Sequence, residues 1–190
     1  MSQADAPRVH VETVEEWRAW LAQHHLTASS VWLVTWRRAA GRPAPRYEEQ
    51  IDEALRVGWV DSTAKTLDGE RSMLYFARRR PGSAWARTNK ERIARLDAAG
   101  RLLPAGREVV DRARSDGSWT LLDAVEALVV PDDLAAALER HDGARVHWDR
   151  FSPSARKQIL WWIVQAKRPP TRAARVEETA LRAARGERAR

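Results

Sequence analysis

The residues best equipped for chemistry lie close together in the chain: Gly58-Trp59-Val60-Asp61, then Leu67-Asp68, then the run from Arg78-Arg79-Arg80 through Pro81-Gly82-Ser83-Ala84-Trp85 to Asn89-Lys90. Three consecutive arginines lead into a Pro-Gly turn and a helix start, so guanidinium forks and unpaired backbone N–H groups would converge on one anion. Indoles beside arginines would stack a base or another planar ligand. Asn89 lies one helical turn after Trp85 and one before Ile93, which puts an amide on an apolar face where it needs a partner. The same residues also admit a purely structural arrangement. In that case Arg78 to Arg80 alternate on an edge strand and pair with Asp61, Asp68 and Glu70, while Trp59 and Trp85 fill the core.

Other chemistries lack their residues. The chain has no cysteine, which excludes disulfides, thiol catalysis and cysteine-ligated zinc. The five histidines (His10, His24, His25, His141 and His147) show no HxxxH or HxxEH spacing, so no metal site and no cofactor are expected. There is no GxSxG elbow, no GxxxxGK[ST] loop and no GxGxxG after a strand. His24-His25 would supply a general base, or would simply sit where a helix C-terminus favours positive charge. No catalytic set emerges.

The formal net charge is +7 over 190 residues, with 33 Lys plus Arg against 26 Asp plus Glu. Position sharpens that total. Lys65 to Arg95 carries a net +6 and Lys167 to Arg190 a net +5, which leaves −4 on the remainder. Two basic segments on an acidic body would steer nucleic acid or phosphorylated ligands, or would be solvated helix faces. The first residues, MSQADAPR, lack the pattern of a secretory leader and no apolar run approaches 18 residues, so a cytoplasmic location without membrane insertion is expected.

Elements must position these groups, and periodicity supplies them. Thr13-Val14-Glu15-Glu16 is a capping box opening a helix with Trp17, Trp20 and Leu21, ending near His25. Val31 to Trp36 is a buried strand, and Gly41-Arg42-Pro43-Ala44-Pro45 a loop. Tyr47, Ile51 and Leu55 mark a second helix closing at Gly58. Trp59 to Thr63 and Met73 to Ala77 are strands, with a hairpin signal at Asp68-Gly69 and room for both to extend into the gap. Ser83 is the expected N-cap of a helix carrying Trp85, Asn89, Ile93 and Leu96. Pro104-Ala105-Gly106 starts another helix that Asp116-Gly117 ends. Beyond it Pro131-Asp132-Asp133 and Ser152-Pro153 start helices, and Pro169-Pro170-Thr171 stops one helix and caps the last. Trp161 and Trp162 cannot share a helix face, and Trp32 and Trp36 share one side of a strand, so one or more indoles would line a groove.

The expected fold is therefore α+β, mostly helical, with a small antiparallel β-sheet in the N-terminal half and a helical C-terminal half. Its expected organisation is a disordered N-terminus over 1–11, an α+β part over 12–115, a helical part over 116–186 packed on it, and a frayed tail over 187–190.

In these motifs the chain resembles the YdeI/OmpD-associated family of bacterial proteins, named for bacteriocin protection. The matching residues are Val31-Trp32-Leu33-Val34, Tyr47-Glu48-Glu49, Glu53-Ala54-Leu55, Gly58-Trp59-Val60-Asp61-Ser62, Arg80-Pro81-Gly82-Ser83-Ala84-Trp85 with Asn89-Lys90-Glu91-Arg92, and Pro104-Ala105-Gly106. The C-terminal half adds Val130-Pro131-Asp132-Asp133-Leu134, Ala166-Lys167-Arg168-Pro169 and Thr171-Arg172, so the resemblance runs from about Glu12 to Glu187. Ala86 departs from the serine usual after the tryptophan of the RPGS block, which weakens any role needing a hydroxyl there. The resemblance implies a role in protection against a toxin or stress, with the GWxD and RPGSxW segments acting together.

It carries a ligand-binding assignment onto Trp59, Asp61, Arg80, Ser83, Trp85, Asn89 and Lys90. Arg80 and Lys90 would contact an anion, Asp61 would orient it, and Trp59 and Trp85 would be walls. The first expectation is thus a resistance protein that binds a small molecule or peptide. The alternative is non-specific nucleic-acid binding through Arg78, Arg79, Arg168, Arg172, Arg175 and Arg182. A hydrolase or modifying enzyme acting on a toxic small molecule ranks third, because no nucleophile and base pair is visible.

Overall fold

A computed structural model describes residues 3–190, and the chain divides into two compact units, one ending at Trp119 and the other spanning Thr120–Arg190. The first unit contains β1 (Arg8–His10), α1 (Val14–His24), β2 (Ser30–Trp36), α2 (Tyr47–Arg56), β3 (Trp59–Thr66), β4 (Arg71–Arg78), α3 (Arg87–Ala98) and α4 (Pro104–Ser115). Its sheet has the order β1-β2-β4-β3, with β1 parallel to β2 and the other pairings antiparallel. The sheet is therefore mixed rather than purely antiparallel. The addition is β1, which lies in the stretch expected to be disordered. Its three residues are too few to show a period, but they complete the open edge of β2, and Val11 beyond them is buried.

The hairpin signal is met: β3 and β4 extend toward each other, and the Asp68 carboxylate accepts hydrogen bonds from the backbone N–H groups of Glu70 (3.0 Å) and Arg71 (2.8 Å). The expected box at Thr13 also forms, with the Thr13 hydroxyl accepting from the Glu16 N–H at 3.2 Å. Alternation along β2 and β4 places Val31, Leu33 and Phe76 on one face, where they meet Trp17 and Leu21 of α1 and Ile51 and Leu55 of α2. Trp32 and Tyr75 lie on the other face with Ala6. Ser83 does not cap α3. After the turn the chain runs without regular structure to Ala86, which is the N-cap without a side-chain bond. The Pro81-Gly82 turn, closed by a hydrogen bond from Ser83 N–H to the Arg80 carbonyl at 3.2 Å, delays the helix by about one turn.

One buried carboxylate ties the helices together. Glu53 on α2 is 2% exposed and accepts from Arg18 of α1 (3.0 and 3.2 Å), from Arg101 after α3 (2.8 Å) and from Arg56 of its own helix. Close packing does the rest. Gly106 sits where a Cβ would lie 2.4 Å from the Arg56 carbonyl oxygen, so α4 can approach the end of α2 only with glycine there.

The second unit is helical: α5 (Asp123–Glu126), α6 (Asp132–Arg140), α7 (Ala144–Arg150), α8 (Pro153–Val164) and α9 (Pro169–Ala184). Leu134, Leu138, Trp148, Ile159, Leu160 and Ile163 form its core with Val176 and Ala180. Ser152 caps α8 as expected, its hydroxyl accepting from Ala155 N–H at 3.2 Å. The last helix instead begins at Pro169 with Arg168 at the N-cap, so Thr171 lies inside it. Among the described residues no helix is long and apolar enough to cross a membrane.

Two outcomes follow. Burial raises the Glu53 pKa, but hydrogen bonds from Arg18 and Arg56 outweigh it, and the net shift is downward. A carboxylate lowered by folding adds stability above its unfolded pKa of about 4.3, and that stability is lost as pH falls through the lower folded value. Glu53→Gln is therefore expected to lose about 3 kcal/mol at neutral pH and to show a shallower loss of stability on acidification than the parent, as read by urea unfolding at pH 7 and pH 3. An unchanged urea midpoint would refute the role given to this carboxylate. Gly106→Ala is expected to cost about 1–3 kcal/mol by forcing α4 off α2, and equal melting temperatures for variant and parent would contradict it.

Candidate ligand-binding groove

A large cavity in the first unit lies where β2 ends and the chain loops over to α2. Arg38–Ala40 form a short 3-10 turn that Gly41 closes with φ +63°, a left-handed conformation that favours glycine. Pro43 and Pro45 then stiffen the approach to α2. The resulting groove has a volume of about 710 Å³, within the range of small-molecule sites. Ala44, Pro45, Met73 and Leu74 give it apolar walls, and Arg37, Arg38, Arg42 and Arg46 bring four guanidinium groups to it.

Its aromatic side chains are Tyr47 and Trp36. The Arg42 guanidinium lies 4.3 Å from the centre of the Trp36 ring and Arg71 5.8 Å from it. The indole N–H donates to Glu12 at 2.8 Å, and His10 abuts the ring edge-on, so the ring plane is held from outside the groove. Arg46 is committed to Glu49 at 2.8 Å, and Gln50 donates to the Pro45 carbonyl at 2.9 Å, which fixes the loop to α2. Tyr47 donates its hydroxyl to Asp61 at 3.1 Å. Partial burial, followed by the charge of Asp61, raises the Tyr47 pKa, so the phenol stays protonated. An arginine stacked on an indole beside apolar walls suits a ligand with an anionic group and a flat apolar body.

Of the residues singled out in the GWVD and RPGSAW motifs, Arg80, Ser83 and Trp85 line one small space, and Trp59, Asp61, Asn89 and Lys90 are not among its lining residues. Trp59 is 0% exposed and Trp85 1%, and both belong to the main core, where Trp59 donates its indole N–H to the His25 carbonyl at 3.2 Å. Neither indole lines the groove, and other side chains cover each of them. Trp85 packs on Trp119, with ring centres 4.9 Å apart. Asp61 accepts from Tyr47, which lines the groove, but is not itself a lining residue. Arg80 is exposed beside the turn, while Ser83, Asn89 and Lys90 are half-buried, Lys90 with its ammonium 5.5 Å from the Trp119 ring centre. The space beneath the Arg80–Ser83 turn amounts to about 10 Å³, room for no more than a single water-sized group.

The basic segments are largely engaged within their own units. Arg79 is buried, and β4 is an inner strand rather than an edge. Arg78 reaches the Leu26 carbonyl at 3.4 Å. In the second unit Arg172 grips Asp133 at 2.7 and 3.0 Å, Arg182 pairs with Glu178 at 3.0 Å, and Arg175 donates to the Trp162 carbonyl and lies over that indole. Arg168 is exposed. Among the described residues no group of three or more histidines and carboxylates is placed to hold a metal ion.

Arg38, Arg42 and Met73 are not among the site residues expected from the sequence, because they belong to no motif, whereas Trp36 is one of the indoles the sequence offers for a groove. The available signal was the pairing of Trp32 and Trp36 on one strand side, which pointed to an indole lining a groove.

These features define an α+β protein with a cation-lined apolar groove in one unit and a helical second unit. The chain belongs, through residues 9–109, to a family described as a domain of unknown function (DUF8412), and residues 127–186 match in part the family described as bacteriocin-protection, YdeI or OmpD-associated. The GWVD and RPGSAW motifs fall in the first match, and the motifs from Val130 to Arg172 in the second, so the YdeI or OmpD-associated match is confined to the C-terminal part of the resemblance. No curated protein and no solved structure matches the chain.

Core placement of the motif tryptophans has a measurable consequence. Trp59→Ala is expected to cost about 3–5 kcal/mol in urea unfolding, as for other buried aromatic truncations. A stability loss below about 1 kcal/mol would instead return Trp59 to the surface of a binding site.

Proposed function

We propose that the chain is a cytoplasmic resistance protein that sequesters a small molecule carrying an anionic group and a flat apolar body, held in the groove between the Arg37–Arg46 loop and the β2–β4 strands. The observation that carries this reading is Arg42 stacked on Trp36 at the mouth of a 710 Å³ cavity with apolar walls. The bacteriocin-protection description of the family matched by residues 127–186 supports a protective role. Sequestration needs no nucleophile. It needs a site that pairs charge with a guanidinium and covers a planar surface, and the groove offers both.

A thermal-shift screen of aromatic carboxylates and aryl phosphates tests the proposal. A true ligand present at a hundredfold excess over its Kd stabilises the folded protein by about 2.7 kcal/mol. The shift is expected to vanish in Arg42→Ala and to weaken in Arg38→Ala, both of which alter exposed loop side chains and leave the fold intact. A ligand whose shift survives in both variants binds elsewhere, and a screen without any shift would count against the groove.

A further inference from the structure

Arg37, Arg38 and Arg42 are exposed where they line the groove, but two other lining residues are both polar and buried: Thr35 is 6% exposed and Gln50 7%. Residues two apart along a strand share a face of the sheet, and so do residues directly opposed on antiparallel neighbours. Thr35 stands opposite Ser72 and two residues beyond Leu33, which stands opposite Leu74. Thr35, Ser72 and Leu74 therefore lie on the sheet face of Leu33, which packs in the core beneath α1 and α2, and all three line the groove together with Gln50 of α2.

The orientation of the Gln50 amide is fixed by its partner. Nε2 donates to the Pro45 carbonyl at 2.9 Å, an oxygen that can only accept, and this leaves Oε1 as the second atom of the amide. The Gln50 backbone carbonyl is taken by the Trp17 indole N–H at 3.1 Å. Oε1 accepts from no described residue, and the hydroxyls of Thr35 and Ser72 have no described partner. The side-chain polar atoms that are both sealed in and unpartnered belong to Arg79, Ser118, Trp148 and Arg156. The free oxygens of Thr35 and Gln50 are not sealed, so they open onto space, and the groove is the space these residues line. Tyr47 adds another acceptor, since its hydroxyl gives its proton to the bond with Asp61 and keeps its lone pairs.

Two fixed acceptors, Gln50 Oε1 and Tyr47 Oη, and two adaptable hydroxyls thus meet a ligand away from the exposed arginines. An anionic oxygen placed among them would face acceptors, so a bound acid keeps its charge at the arginines and turns a donor inward. We propose that the groove selects flat acids carrying a hydrogen-bond donor (an amine, a hydroxyl or a ring N–H) remote from the anionic group, and that Gln50 Oε1 is the atom that reads this donor. An analogue without the donor leaves a desolvated acceptor unmatched, which is how a polar pocket rejects it. This inference rests on the groove function proposed above and specifies the ligand class further.

Calorimetry with two matched pairs tests it: para-aminobenzoate against benzoate, and para-hydroxyphenyl phosphate against phenyl phosphate, each with the parent, Arg42→Ala and Gln50→Met. In the parent the donor-bearing member of each pair is expected to bind about three- to tenfold more tightly, the worth of one hydrogen bond. In Gln50→Met that ratio is expected to fall toward one. Loosening of the loop through the lost Pro45 bond would weaken both members of a pair and leave their ratio unchanged. Equal affinities within both pairs, in a parent whose binding is lost in Arg42→Ala, would overturn this inference and leave the sequestering function standing, whereas no Arg42-dependent binding at all would overturn both. A preference that persists in Gln50→Met would also refute the assignment to Gln50. Should that variant fail to fold, crystals of the parent with para-aminobenzoate decide: an amine within hydrogen-bond distance of Gln50 Oε1 is expected, and an amine facing solvent would overturn the proposal.

Discussion

Everything in the first unit is arranged around a carboxylate that could not stay charged by itself. Glu53 projects from α2 into a region where only 2% of it is exposed, and burial disfavours its charge. Arg18, Arg56 and Arg101 reverse the balance, and they come from three different places in the chain. Each guanidinium keeps some contact with water, at 45%, 16% and 47% side-chain exposure, so the cations are not fully desolvated while the anion is. That asymmetry favours the cluster, since the largest desolvation cost falls on one group that receives several charge-assisted hydrogen bonds. The same cluster draws α1, α2 and the segment after α3 to one point. Asp52, next in line on α2, repeats the device at a smaller scale by pairing with Arg92 of α3 at 2.8 Å.

With those helices fixed, the tryptophans become core rather than binding surface. Trp17 stacks on Trp20 and contacts Phe76, Trp20 meets Trp59 edge-on, and the Trp17 indole donates to the Gln50 carbonyl on α2. An indole that fills a core and also bonds a backbone carbonyl is fixed in orientation as well as position. Trp36 escapes this fate because β2 ends with it. The chain then turns away through Arg37 and the 3-10 turn, and the ring is left with arginines over it rather than helices. A strand terminus next to a proline-stiffened loop thus produces the open space that the helix-covered face cannot.

Much of the architecture was legible in local signals. The Thr13 capping box, the apolar run of β2, the acidic start of α2, the Asp68-Gly69 hairpin and the Ser152-Pro153 cap act through neighbours in sequence, so the residues alone determine them. What escaped depends on distant pairing. The strand β1 is three residues long and exists because β2 offers an open edge. The short helices α5 and α7 have too few turns for periodicity to register, yet Val125 and Trp148 on them are buried. Ser83 looked like a cap because residue type suggests one, while the Pro81-Gly82 turn moved the helix start to Ala86-Arg87. The site was less legible than the fold. Motif residues drew attention to Trp59 and Trp85, whose spacing is equally that of core indoles, and the groove is made by a loop with no motif at all.

The charge total misleads for the same reason. An arginine-rich segment is a candidate polyanion surface only if its guanidinium groups remain available, and availability is set by the carboxylates that folding brings near. In the second unit Asp133 takes Arg172 and the Trp162 carbonyl takes Arg175, which tie α9 to α6 and α8, while Glu178 takes Arg182 within α9 itself. Exposed pairs of this kind contribute little stability, on the order of 0–1 kcal/mol each, but they lower the field that a phosphate backbone would feel. In the first unit the contrast is between Arg79 and Arg42. One is buried on Trp85 with two nitrogens unpartnered, and the other lies on Trp36 beside open space. Both are arginines stacked on indoles. Burial alone separates an arginine enclosed in the core from one that faces open space, and burial is the property that a run of arginines in a sequence does not encode.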